Sequence, residues 1–207
     1  LSTCMRNDAG TEVCTVEHVM AALYGLGIDN VVVELDGKEA PIKDGSALAF
    51  VDMILKAGIL DLGVARKALR IRRTVKVAEG NKSAALHPHA GFRIRCEIDF
   101  DAEAISRQIK DVELSVPGVF ATQVADARTF VRKADIEMLQ KNGLALGGSL
   151  DNAVVVDGSE ILNPDGLRTA DEFVRHKALD VVGDLSLAGY PILGRFDGLR
   201  MGHALNN

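Results

Sequence analysis

The chain has no tryptophan, two tyrosines and seven phenylalanines, and no lysine- or arginine-rich run. With so few rings to stack on bases and a formal net charge of −5, nucleic acid is excluded as the expected partner. An anionic small molecule remains compatible where local cations meet it. No apolar stretch approaches the roughly 20 residues that a helix needs to cross a bilayer, and nothing near Leu1 has the pattern of a signal peptide. The three cysteines, Cys4, Cys14 and Cys96, are odd in number and lack C-x-x-C spacing. That usage predicts a reduced cytoplasmic protein with neither a disulfide framework nor a cysteine-based metal site. Gly-rich dinucleotide and P-loop fingerprints are absent, as are short-period repeats.

What is present fits a globular chain. The hydrophobic fraction is 47% with no long polar tract, and 207 residues suffice for one large domain or two small ones. Both ends break off in mid-pattern, as expected of a piece of something longer. Thr11 to Leu26 reads as a helix: Val16, Val19, Met20 and Leu23 form an apolar stripe, Thr15 is the candidate N-cap, and Gly25 and Gly27 end it. Val31 to Gly37 reads as a strand and turn, and Asp44-Gly-Ser46 opens a helix that stops at Gly58. Residues 59–67 read as a linker. Strands are expected at 69–78, 83–87, 92–99, 111–116, 125–131, 153–156 and 192–197, with helices at 134–141 and about 170–188. Strand clusters with paired helices, rather than strict βαβ alternation, make the class α+β.

The chemistry concentrates in few places. His176, Asp180 and Asp184 are spaced by four, so on a helix they stack in one column. A histidine and an aspartate one turn apart can share a metal ion. Far upstream lies Glu17-His18. His18, His176 and Asp180 would give a zinc site of three protein ligands with one open position, and Glu17 a general base. Singly, each of these residues is better read as a solvated helix side chain; the combination is what points to a hydrolytic site. The same ligand types also describe an iron oxygenase, and a non-catalytic interaction domain is the third alternative. His203 follows Gly202, with Asp184 available to orient and charge it. Lys177 could neutralise a phosphate. His87 and His89, flanking Pro88, read as solvated, and Gly147-Gly148-Ser149 as a plain turn.

Thr15-Val-Glu-His18, Asp44-Gly-Ser46, Ala127-Arg-Thr-Phe130, Leu146-Gly-Gly-Ser-Leu-Asp-Asn152, Asp171-Glu-Phe-Val-Arg-His-Lys177 and Gly202-His-Ala-Leu-Asn-Asn207 occur in that order. Jointly they closely resemble the UDP-3-O-acyl-N-acetylglucosamine deacetylases, zinc amidases of lipid A synthesis, over essentially the whole chain. The resemblance implies two similar α+β domains, each packing a sheet on a pair of helices, with the active site between them. Residues 1–65 would be the later part of the first domain, whose N-terminal part is absent. Residues 66–207 would be the second, with a βαβ insert at about 130–155 forming an apolar passage for the acyl chain. Arg132 and Lys133 depart from the apolar pattern expected there. The resemblance puts zinc on His18, His176 and Asp180. It makes Glu17 the base, His203 the charged acid with Asp184 behind it, and Thr129 the hydroxyl donor to the oxyanion. Lys177, Phe130, Phe100 and Arg200 would bind the substrate, UDP-3-O-acyl-N-acetylglucosamine, in the cytoplasm.

Overall fold

The computed structural model describes residues 2–143 and 145–207. It opens with a two-stranded antiparallel hairpin, β1 (Cys4–Arg6) and β2 (Glu12–Cys14), followed by α1 (Glu17–Gly25). The expected helix over 11–26 is therefore too long by its first turns. Thr15 has φ 57° and is a corner between strand and helix, not an N-cap. The hairpin register sets Cys4 directly opposite Cys14, and the two form a disulfide. This corrects the expectation of fully reduced cysteines: ten residues separate the pair in sequence, but the register makes them cross-strand neighbours. Only Cys96 is free, and it is buried.

The β-branched run Val31–Val33 has no strand beside it among the described residues and stays irregular and exposed. Apolar, branched residues favour a ladder but cannot make one without a partner. Next comes α2 (Leu48–Ala57). The Ser46 hydroxyl accepts the Leu48 N–H at 3.1 Å at its start, and Gly58 ends it at φ 87°. Residues 59–67 carry no regular element.

The main sheet is built from β3 (Leu69–Arg70), β4 (Val75–Glu79), β5 (Lys82–His87), β6 (Phe92–Asp99), β7 (Arg107–Glu113) and a strand from the far end of the chain. Between β7 and that last strand lie α3 (Val119–Gln123), β8 (Phe130–Arg132), α4 (Lys133–Lys141), β9 (Val154–Asp157), β10 (Glu160–Ile161) and α5 (Glu172–Ser186). The region expected to be one strand over 125–131 is instead a turn and an irregular stretch, 125–129, that runs into the brief β8. The last strand, β11 (Ile192–Leu199), enters the sheet between β5 and β6, antiparallel to the first and parallel to the second, and α6 (His203–Asn206) follows. Sheet order is β4-β5-β11-β6-β7, with β3 on β11; β8 and β9 pair in parallel and β10 adds to β9.

Alternation decides which face is wet. Phe92, Ile94, Cys96 and Ile98 of β6, with Ile192 and Phe196 of β11, point inward. Arg93, Arg95, Glu97, Arg195 and Asp197 point away. Against the inner face lies α5, buried over almost its whole length, and α1 packs on α5. Gly183 permits that approach: a Cβ there would sit 2.1 Å from the Glu17 carbonyl oxygen. The two helices that carry the candidate ligands thus touch backbone to backbone beside Glu17.

Candidate active site

Glu17 and His18 are the first two residues of α1, and His176, Lys177, Asp180 and Asp184 occupy one side of α5. Their helices cross at Gly183, so residues far apart in sequence meet in a buried pocket. His18, His176 and Asp180 are each at most 3% exposed, and each offers a ligand atom within 4.8 Å of the others. The two imidazoles stand edge to face, with centroids 5.1 Å apart. Oδ1 of Asp180 lies 3.3 Å from Nε2 of His176 and 4.0 Å from Nε2 of His18. Its other oxygen accepts from Lys177 Nζ at 2.6 Å. The carboxylate is thereby divided, one oxygen toward the imidazoles and one toward the ammonium.

The donor set suits a metal ion. Nδ1 of His176 lies 3.0 Å from the Ala127 carbonyl, which only accepts, so Nδ1 carries the proton and Nε2 the free lone pair. Burial, reinforced by repulsion between the two histidines, drives His18 down to about 3. Burial also lowers His176. Both rings are therefore neutral at pH 7, the form that ligates. His18 Nδ1 is buried with no hydrogen-bond partner. For Asp180, burial raises the pKa, but nearby positive charge, first of all the Lys177 ammonium, outweighs it and holds the carboxyl ionised.

Beside this set lie Glu17 and His203, the candidate proton-transfer pair. Burial, with repulsion from Asp180, raises the Glu17 carboxyl above its ordinary 4.5. His203 begins α6; its Nε2 is 3.7 Å from Glu17 Oε1 and its Nδ1 is 2.9 Å from Asp184 Oδ2. Burial disfavours the His203 cation, but the hydrogen bond to Asp184 and the charges of Asp180, Asp184 and Glu17 outweigh it, so its pKa is raised above 6.5. Two groups with elevated pKa, a carboxyl and an imidazole, thus face one another beside the His18–His176–Asp180 set.

Thr129 arrives through backbone bonds. Its N–H donates to the Gly45 carbonyl at 2.7 Å, and its carbonyl accepts from Val154 at 2.8 Å. Gly45 has φ 82°, and a Cβ there would meet the Asn152 carbonyl at 2.1 Å, so the Asp44-Gly-Ser46 turn, Thr129 and Asn152 lock together. Phe130 lies under Lys177, whose ammonium is 5.4 Å from the ring centroid, and edge-on to Phe100 at 5.5 Å. Arg200 pairs with Asp99, the two about equally exposed. Neither His87 nor His89 is simply solvated: they face Asp197 at 3.3 Å and Glu113 at 2.8 Å. The carboxylates come from adjacent strands, which the turn around Pro88 gives no hint of. Arg132 and Lys133 pair with Asp135 and Asp157, each at 2.6 Å.

Three contributions come from residues that the sequence does not single out as site candidates. Arg128 binds Glu172 through Nε at 2.8 Å and Nη2 at 3.1 Å, and Glu172 also accepts the Arg128 and Arg168 backbone N–H groups. This pair fixes the turn whose Ala127 carbonyl orients His176. Asn206 donates to Asp184 at 2.8 Å. Thr3 donates its backbone N–H to Glu17 Oε2 at 3.1 Å and its hydroxyl to Asp184 Oδ1 at 2.6 Å. A buried carboxylate needs such donors, and that need is the one signal available in advance.

Two buried imidazoles and a carboxylate, with a second carboxylate beside them on an α+β scaffold, form a group that could hold a metal ion, the donor set of a metal-dependent enzyme. The family model described as LpxC, UDP-3-O-acyl N-acetylglycosamine deacetylase, matches residues 1–207. A UDP-3-O-acyl-N-acetylglucosamine deacetylase of Haemophilus influenzae is 50% identical over 208 residues, covering 100% of this chain and 68% of the relative. Relatives of the same name in Phenylobacterium zucineum and Psychrobacter arcticus are each 50% identical, covering 100% and 96% of this chain and 70% and 62% of their own lengths. The chain belongs to the LpxC deacetylase family, an enzyme family that is metal-dependent. Among the described residues, no helix is long and apolar enough to cross a membrane.

Proposed function

We propose that this protein hydrolyses the N-acetyl group of UDP-3-O-acyl-N-acetylglucosamine, giving acetate and the free-amine UDP-sugar, the committed step of lipid A biosynthesis. The observation that carries this reading is the convergence of His18, His176 and Asp180 beside Glu17 in a chain of this family. Membership favours hydrolysis over the iron-oxygenase alternative.

Zinc is the metal we assign to His18, His176 and Asp180, because it takes nitrogen and carboxylate donors and leaves a coordination position open in catalytic sites. When bound, it supplies Lewis acidity that polarises a carbonyl and makes water a nucleophile near neutral pH. Glu17 accepts the proton of the attacking water, a role that its raised pKa suits. The Thr129 hydroxyl donates to the acetyl oxygen as negative charge collects there. His203, kept cationic by Asp184, protonates the departing amine. A preorganised donor of this kind is worth roughly 3–4 kcal/mol of barrier.

Lys177, Phe130, Phe100 and Arg200 are assigned to substrate. Lys177 lends positive charge to the nucleotide side while its bond to Asp180 keeps that ligand aimed. We assign residues 1–65 to the later part of a first domain and 66–207 to a second. The acyl passage falls to the β8–α4–β9 unit, with Arg132 and Lys133 held outside it by their aspartates. The reaction is placed in the cytoplasm, where UDP-sugars are made; fractionation of the source cells tests that placement. Acetate release from UDP-3-O-acyl-N-acetylglucosamine, with and without a chelator, tests the activity. Stoichiometric zinc by elemental analysis tests the metal, and oxygen consumption with iron and a 2-oxo acid would replace the reading by its rival.

A further inference from the structure

One residue outside every motif touches both the candidate base, Glu17, and Asp184, the carboxylate behind the candidate acid. Thr3 precedes β1 and is 3% exposed. Its N–H donates to the candidate base Glu17 at 3.1 Å. Its hydroxyl donates at 2.6 Å to Asp184, the carboxylate that holds Nδ1 of His203. The same hydroxyl accepts from Asn207 Nδ2 at 3.1 Å. A threonine hydroxyl has one proton to give, and here it goes to the carboxylate behind the candidate acid.

We propose that Thr3 is a positioning residue for the deacetylation: its backbone fixes the rotamer of the base while its hydroxyl fixes the carboxylate that aims the acid. The proposal rests on the hydrolytic reading above. Glu17 and Asp184 lie on different helices, and their oxygens point into the same buried space. A carboxylate there, repelled by Asp180, has an incentive to swing toward His203. The Thr3 N–H supplies a fixed, charge-assisted counter-bond on the opposite oxygen. The donor is itself anchored, because the Thr3 carbonyl accepts the Val16 N–H at 3.3 Å, one residue before α1 begins. The segment that leads into α1 therefore carries the clip that aims the side chain at the helix start. Displacement of a reacting group by about 1 Å costs roughly 100-fold in rate, so a clip shared by base and acid acts on both at once.

The competing account is a buried threonine that merely packs and satisfies its own hydroxyl. Valine keeps the shape and loses the hydroxyl, whereas serine keeps the hydroxyl and loses the methyl. In the full-length, metal-loaded enzyme, Thr3→Val is expected to lower kcat by roughly 10- to 100-fold, with KM and metal content unchanged. Thr3→Ser is expected to restore kcat to near the wild-type value. The reverse order, with serine impaired and valine active, overturns the proposal in favour of packing. Should valine prevent folding, Thr3→Ala against Thr3→Ser isolates the same hydroxyl. A readout without substrate accompanies the kinetics: the low-field proton resonance of the His203 Nδ1–H should move in Thr3→Val and stay in Thr3→Ser. An unmoved resonance in Thr3→Val also overturns it. If the wild type releases no acetate, the hydrolytic reading fails by itself, and the resonance still decides whether Thr3 governs the Asp184–His203 pair.

Discussion

The outer face of the sheet and the α1–α5 crossing are both crowded with charge, and they use it oppositely. On the sheet, Arg93 pairs with Asp111 at 2.7 Å and Arg107 with Glu97 at 2.6 Å. Arg93 and Asp111 are roughly two-fifths exposed, so water screens the pair and either partner can relax. At the crossing, Glu17, His18, His176, Asp180 and Asp184 are nearly dry, and every charge there needs a particular partner. Desolvation shifts each of the titrating groups His18, His176 and Glu17 away from its ordinary behaviour. Charge alone therefore says little about a site. Charge that has been withdrawn from water and divided between fixed partners is what gives this crossing its chemistry.

The contrast can be tested at both ends. The largest effect is expected at Glu17. Glu17→Gln keeps the shape and removes the base, and kcat should fall by about 10²- to 10⁴-fold with metal retained; wild-type acetate release with full metal occupancy would remove Glu17 from the role. Next is Arg128→Ala, which strands Glu172 without its buried partner and should cost about 3–5 kcal/mol in denaturant unfolding. The sign of its pH dependence follows from Glu172, whose carboxyl is lowered from 4.5: burial would raise it, but the bonds to Arg128 outweigh that. The pair's contribution is present above 4.5 and lost as pH falls through the folded value. The stability gap between wild type and variant should therefore narrow in acid.

A third test uses the opposed groups. The rate should rise as Glu17 loses its proton above 4.5 and fall as His203 loses its own above 6.5. His203→Ala should abolish the upper limb while lowering kcat, and an unchanged upper limb in that variant would assign the titration elsewhere. The smallest effect belongs to the sheet: Arg93→Ala should change stability by only about 0.2–1 kcal/mol and leave kcat alone. A loss of several kcal/mol there would erase the distinction between the two regions.

Where the sequence is legible, one element supplies the whole pattern. The alternation of β6 needs only its own eight residues, and α5 needs only its period. The His176–Asp180–Asp184 column is readable for the same reason. The hairpin is not, because strands of three residues are too short to alternate, and the stripe of α1 extends the expected helix over the second of them. Glu12–Cys14 becomes a strand through a partner that lies earlier in the chain. Val31–Val33 fails the other way, with strand composition and no neighbour. In the site, residue types and spacing pick out the side chains that come together, His18, His176 and Asp180 beside Glu17. The Arg128–Glu172 pair and Thr3 are invisible beforehand because their partners come from segments 44 and 14 to 181 residues away.

Gly183 sets a hard stop between the two helices. With main chain against main chain, the separation of His18 from His176 does not depend on compressible side chains that could be repacked. The gauge of the candidate metal site is in that sense machined into the backbone, and drift elsewhere in the core has little purchase on it. The same rigidity leaves no tolerance at this one point: even the methyl group of Gly183→Ala would have to prise the helices apart, and the pocket would open before the rest of the fold gave way.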